Sequence, residues 1–274
     1  MQPSLQTSSS RQFDEMDVET FYDHEDSHYR SFWDPEGSLH WGYFDPLTQC
    51  GAKDFVAASK RWNEIMLKKS MVNAASNVLD LGCGNGNTAL WLSACTQCTA
   101  VGIDISGVRI SNAQAKIAAQ QNARVSFKKA SATALPFADA SFTHVWSQAT
   151  FYHVQNREKA LSEIARVLKD HGTFVFDTLT TPHPDVSQTS LDCLYHRLHS
   201  NPGLSFEQHV ELLSSHGFAI AEASDMSDQL LANYIALTEL TEQCKPELRD
   251  IYNQVCESIR AHDVGWAFFL CHKA

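Results

Sequence analysis

The sequence predicts an α/β fold: a doubly wound, mostly parallel sheet of seven strands, with an N-terminal helical lid and a C-terminal helical cap. Three observations lead there. From residue 77 onward, short apolar runs alternate with amphipathic stretches of helical length, the signature of βαβ units with helices on both sheet faces. A glycine cluster joins the first of these runs to the first helix of the series. The chain is 274 residues long, 43% hydrophobic and 19% charged, enough to bury a core and too apolar for disorder.

The elements follow in order. Residues 1–12 are polar and aperiodic and read as a tail. From Phe13 to about Asp54 the chain is aromatic (Phe21, Tyr22, Tyr29, Trp33, Trp41 and Tyr43 among others) and its start is acidic (Asp14, Glu15, Asp17, Glu19, Asp23, Glu25, Asp26). A segment so aromatic must pack on something, so residues 13–72 read as a lid. It closes with a helix over 54–71, where Phe55, Ala58, Trp62, Ile65 and Met66 share one face. Strands are predicted at Asn77–Leu81, Thr99–Ile103, Arg124–Lys129, around His144–Trp146, and at Thr173–Asp177. Helices fall between them at Asn87–Ala94, Ser106–Gln121 and Arg157–Lys169. A helix over Phe206–Ser215, a strand at Gly217–Ala223, a mostly helical stretch over 229–261 broken near Pro246, and a strand at Gly265–Cys271 complete a domain over 73–274. Cap insertions are expected at about 180–215 and 226–262.

Composition limits the function. Lys plus Arg number 21 and Asp plus Glu 32, for a net charge of −11. Such a chain repels phosphate backbones and argues against nucleic acid, while mildly favouring a cationic or zwitterionic small molecule. The apolar runs, Trp266–Cys271 among them, fall far short of the ~20 residues that span a bilayer, and Met1–Gln12 lacks the apolar core of a secretory signal. Eight scattered cysteines suit packing in a reducing cytosol, so a cytoplasmic location is expected. Cys95 and Cys98 form a CxxC without a second ligand pair, and no metal is expected. A homodimer is compatible with the chain.

The strongest motif is Asp80-Leu81-Gly82-Cys83-Gly84-Asn85-Gly86, which follows a strand and opens a helix. Glycines there permit a tight turn and close approach of a ligand, and the helix N-terminus offers free N–H groups. Asp104 ends the next strand 22 residues after Gly82, where a carboxylate accepts hydrogen bonds from ribose hydroxyls. A dinucleotide and S-adenosylmethionine both suit such a site. The dinucleotide pattern wants a glycine at 87, where Asn87 stands.

The GxGxG spacing with Asp80 two residues ahead resembles the class I S-adenosylmethionine-dependent methyltransferases, which implies their Rossmann-like fold. The resemblance covers about residues 75–180. Phe127–Phe137 (FKKASATALPF), Ala138–Trp146 and Val167–Phe176 match family segments in order and spacing. In the first of these, Ser131 stands where the family usually has the acid that contacts adenine. The resemblance implies S-adenosyl-L-methionine as cofactor, held by Asp80, Gly82, Gly84, Gly86, Asn87, Asp104, Ile105, Ser131, Ala132, Ser147 and Gln148.

The flanks resemble small-molecule methyltransferases. Leu39–Phe44 (LHWGYF) and Trp146–His153 (WSQATFYH) are most similar to the sarcosine/dimethylglycine type, although Ala149 stands where that group often has Asp. The expected reaction is therefore methylation of the amine of a zwitterionic amino-acid derivative. An O- or S-methyltransferase of natural-product metabolism and a non-catalytic cofactor-binding protein stay open. In-line methyl transfer needs a base only where the nucleophile starts protonated. His153 suits that role by placement and by the ordinary pKa of imidazole, about 6.5; a buried structural histidine is the alternative. Tyr43 is the second catalytic candidate. Tyr22, His40, Trp41 and Tyr152 are expected at the acceptor, where aromatic rings would cage an ammonium. Arg30, Arg61 and Arg197 are candidates for a substrate carboxylate, with Arg197 in the segment after the fifth strand.

Overall fold

The computed structural model describes residues 12–45, 55–120, 122–242 and 245–274. The predicted tail over 1–12 lies outside them except for Gln12. Seven strands form one sheet in the order β3-β2-β1-β4-β5-β7-β6, the seven expected. They are β1 (Asn77–Leu81), β2 (Thr99–Asp104), β3 (Val125–Lys129), β4 (Phe142–Ser147), β5 (Leu168–Thr180), β6 (Phe218–Asp225) and β7 (Gly265–Lys273). The first five are mutually parallel, and β7 runs antiparallel between β5 and β6. Strand order reverses between β1 and β4, so a crevice opens at their C-terminal ends, where ligands bind in such sheets.

Both faces of the sheet are covered, so its central strands carry apolar side chains on both sides. Along β7, Trp266, Phe268 and Leu270 enter one core, while Ala267, Phe269 and Cys271 enter the other. The first core also takes Trp62 from α2 (Phe55–Ser70) and Tyr234 from α8 (Ser227–Thr241). Tyr252 of α9 (Pro246–Arg260) joins them. The second is filled by Leu161 and Ile164 of α5 (Arg157–Val167) and by Leu213 of α7 (Phe206–Ser215). Each fully buried side chain of this size stabilises the fold by about 1.5–3 kcal/mol.

The largest boundary shift is at the junction of α5 and β5. Helix α5 stops at Val167, two residues short of the expected end, and β5 begins at once with Leu168, extended at φ −71° and ψ 138° and paired with Phe142. Leu168 continues the helical apolar spacing of Leu161 and Ile164, so periodicity alone assigned it to the helix. The lid begins with α1 (Glu15–Arg30), started by a capping box in which Asp14 and Asp17 each accept from the other's backbone N–H. A short helical turn, α6 (Gln188–Ser190), continues as a π-helix over Leu191–His196. Helices α3 (Asn87–Thr96) and α4 (Gly107–Gln120) follow β1 and β2.

Helix α1 lies across the crevice and is latched to it by its acids. Asp23 accepts from Ser106 Oγ (2.5 Å) and from Val108 N (3.2 Å) at the start of α4. Buried Asp26 accepts from Asn85 (2.7 Å) and Asn112 (3.1 Å) and lies 3.4 Å from Arg109. Glu19 pairs with Lys129. Three of the lid's acids, Glu19, Asp23 and Asp26, thus hold it to the domain.

Candidate active site

The crevice holds a cavity of about 230 Å³. A second, of about 20 Å³, lies beside it, with Tyr22 and Leu39 lining both. The larger has room for a ligand of many atoms, the smaller for one or two waters.

The three motif glycines do different work. Gly84 faces open space: an added Cβ would come no nearer than 3.9 Å to any neighbour, so its bare backbone is exposed to a ligand. Gly86 does not line the cavity. A Cβ there would stand 2.3 Å from the Phe127 ring, so this glycine serves packing between the loop and β3. Gly82 lines the cavity and packs against Thr150.

The two acids on this wall differ. Asp104 is held from behind by Gly84 N (2.9 Å) and Ser106 N (2.8 Å), one to each oxygen. Each oxygen keeps lone-pair capacity for a further donor. Asp80 is buried, and its Oδ2 has no hydrogen-bond partner among the described residues. Burial pushes its pKa up to about 7, against the Ala89 N–H that favours the charged form, and the Asp104 charge adds to the rise. An unpaired buried carboxylate oxygen on the cavity wall fits the ammonium of a methionine moiety. Together with the open face at Gly84 and the poised Asp104, it matches S-adenosylmethionine.

Of the other residues expected at the cofactor, Ile105, Ser131, Ala132 and Gln148 line the cavity. Ser131 Oγ shares a hydrogen bond with Thr133 Oγ1 (2.8 Å). Gln148 is fixed by Trp146 Nε1 (2.9 Å) and by Asn63 (2.8 Å). Asn87 lines the cavity too, but its amide donates to the Glu36 carbonyl and Ser38 Oγ, tying down the lid. Ser147 lies off the cavity and donates to the Leu81 carbonyl (3.0 Å).

On the acceptor side, the Tyr22 hydroxyl from α1 and His153 Nε2 are 2.7 Å apart. Burial, then the Arg109 charge, lower the His153 pKa to about 3, so the imidazole is neutral; its Nδ1 is buried without a partner among the described residues. Burial raises Tyr22 to about 12, keeping it a phenol although one side touches the cavity. The Arg109 guanidinium covers the Tyr22 ring at 3.9 Å. His40 also lines the cavity, with Nδ1 3.0 Å from the Trp41 carbonyl; burial lowers its pKa. Trp41, Tyr152 and Arg197 line the smaller chamber.

Tyr43 is not brought to either cavity. Its ring stacks on Trp62 at 6.4 Å and its carbonyl accepts from Arg61. Arg30 is taken up by Asp26 and the Pro35 carbonyl. Arg109 and Thr150 reach the site without having been expected. Arg109 stands alone in the first turn of α4 and carries no spacing signal. Thr150 sits inside a noted motif, and its proximity to the glycine loop is a product of β1–β4 pairing.

Residues 79–176 match the methyltransferase domain family. The O-methyltransferase resE of Aspergillus sclerotiorum is 30% identical over 245 residues, which span 86% of this chain and 90% of that one. The chain belongs to the class I S-adenosylmethionine-dependent methyltransferases. The methyltransferase is also 28% identical over 230 residues to a glycine/sarcosine/dimethylglycine N-methyltransferase of Actinopolyspora halophila, covering 81% of this chain but 39% of that one. Its fold matches the geranyl diphosphate C-methyltransferase of Streptomyces coelicolor A3(2) with a TM-score of 0.75 at 16% identity, over 94% and 97% of the two chains. The methyltransferase uses S-adenosyl-L-methionine, and no helix among the described residues is long and apolar enough to cross a membrane.

Proposed function

We propose that the protein methylates a hydroxyl group of a small molecule, with the Tyr22–His153 pair taking up the hydroxyl proton. The observation that carries this is the neutral, buried His153 hydrogen-bonded to a phenol at the cavity wall. When bound, S-adenosylmethionine supplies an electrophilic methyl group on a sulfonium that leaves as a neutral sulfide. The acceptor hydroxyl donates to the Tyr22 oxygen while the Tyr22 O–H donates to Nε2. As the oxygen gains carbon its proton becomes strongly acidic, and it passes through Tyr22 to His153. Even an imidazole of low basicity accepts a proton released that late.

The amine expected from sequence meets a difficulty here. An alkylammonium has a pKa near 10.4, so removing its proton with a base near 3 costs about 10 kcal/mol. A hydroxyl needs no such prior step. The similarity to an O-methyltransferase over nine-tenths of its length supports the same choice. The amine reading keeps two supporting observations: the similarity to a glycine/sarcosine/dimethylglycine N-methyltransferase, and the ring of aromatic side chains around the smaller chamber, of a kind that holds ammonium groups.

Incubation with methyl-labelled cofactor and a panel of alcohols, phenols, thiols and amines tests the choice. Label on hydroxyls is expected; label confined to amines overturns the hydroxyl reading.

A further inference from the structure

The smaller chamber has an unusual inventory. Tyr29, Trp33, Trp41, Tyr152, Tyr234 and Arg197 wall it. Trp33 Nε1, Trp41 Nε1 and Arg197 Nη2 are buried and have no hydrogen-bond partner among the described residues. All three are obligate donors. Arg197 otherwise donates through Nε to the Cys193 carbonyl (3.0 Å) and through Nη1 to the Tyr29 hydroxyl (3.1 Å), with its guanidinium 5.3 Å from the centroid of the Tyr252 ring. No carboxylate pairs with it among the described residues, and arginine stays charged in any protein setting. A buried cation beside unused N–H groups is unfavourable unless something anionic completes it.

We propose that this chamber is a carboxylate-binding subsite for the acceptor. The anion would receive hydrogen bonds from Arg197 Nη2 and the two indoles. Size supports a carboxylate: about 20 Å³ admits a group of one or two waters' bulk and excludes a ring. Position supports an acceptor. Tyr22 and Leu39 separate the chamber from the cofactor cavity, and the Tyr152 ring lies 4.1 Å from that of His153. A molecule anchored at Arg197 reaches past Tyr22 with its other end. Combined with the hydroxyl reading above, on which this part rests, the acceptor class is a hydroxy acid.

The subsite is testable without knowing the acceptor. Sodium acetate is titrated against the full chain loaded with S-adenosylhomocysteine, at constant ionic strength, with tryptophan fluorescence as readout. A saturable response is expected, absent with acetamide. Arg197→Met should weaken it at least ~10-fold, a charged hydrogen bond being lost, while Arg197→Lys retains a response and both keep affinity for S-adenosylhomocysteine. Trp33→Phe, which keeps the ring and removes one donor, should also weaken it and serves if the arginine variants fail to fold. No saturable response in the wild type, or one that neither Arg197→Met nor Trp33→Phe changes, overturns the subsite. A turnover panel of hydroxy acids and amino acids, each paired with its methyl ester, separates the two levels. Label on amines with acids preferred over esters sinks the hydroxyl reading and leaves the subsite standing. Label on hydroxyls of acids and esters alike does the reverse.

Discussion

The two walls of the crevice are built on opposite principles. The sheet wall is local: the ends of β1 and β2 and the turns after them supply Asp80, Gly84 and Asp104 within one βαβ unit, positioned by backbone N–H groups. Among the described residues its unsatisfied atoms include an acceptor, Asp80 Oδ2. The lid wall is assembled from distant stretches: Tyr22 and Trp33 near the start of the chain, His153 in the middle, Arg197 beyond the fifth strand. Its unsatisfied atoms include the donors on Trp33, Trp41 and Arg197. On the proposed reading, one wall would take the positive end of the cofactor and the other an acceptor rich in oxygen. A fold can keep a fixed cofactor wall while the facing wall is rebuilt for another acceptor.

The contrast can be broken most visibly at His153. His153→Ala should lower turnover by about 10²–10⁴-fold, the usual weight of a general base, with S-adenosylhomocysteine affinity almost unchanged by calorimetry. A matching fall in affinity would place His153 on the cofactor wall. Asp80→Asn should do the opposite. It should weaken the cofactor by about 2 kcal/mol, the worth of a charged hydrogen bond, while raising the thermal stability of the free protein at pH 8 by removing a buried unpaired charge. Asp104→Ala should weaken cofactor affinity by at least ~1 kcal/mol; unchanged affinity would remove it from the ribose.

The smallest effect is in pH. With its pKa raised to about 7, Asp80 binds a proton below that pH and then offers no charge to an ammonium. Cofactor affinity should therefore fall as pH drops from 7.5 to 6.5, by about threefold for a single group at that pKa. Asp80→Asn should flatten this dependence. A slope that survives in Asp80→Asn belongs to another group.

What the sequence discloses follows the same division. Gly82, Gly84 and Asp104 are legible because their spacing along one βαβ unit is also their spacing in space. The state of Asp80 is not, since its unpaired oxygen results from burial in β1 between β2 and β4. His153 could be singled out from its place after β4, but its link to Tyr22 spans 131 residues and left no trace in local pattern. Tyr43 shows the limit of reading a motif whole. It shares LHWGYF with Leu39, His40 and Trp41, which all reach a cavity, yet Tyr43 does not, because it turns onto Trp62. Local signals left unread were two capping boxes, Asp14 with Asp17 at the start of α1 and Ser205 with Gln208 at the start of α7.

Helix α1 is both the cover of the crevice and the source of Tyr22. On the proposed mechanism, chemistry and exchange of spent cofactor would exclude each other in time. While Asp23 and Asp26 hold the helix to α4, Tyr22 stays on His153 and the crevice is covered. Any lifting of the helix to release product would part Tyr22 from His153. Residence time of the product and readiness for the next turnover would then be set by one set of contacts. A variant with a looser helix would trade commitment for speed of release.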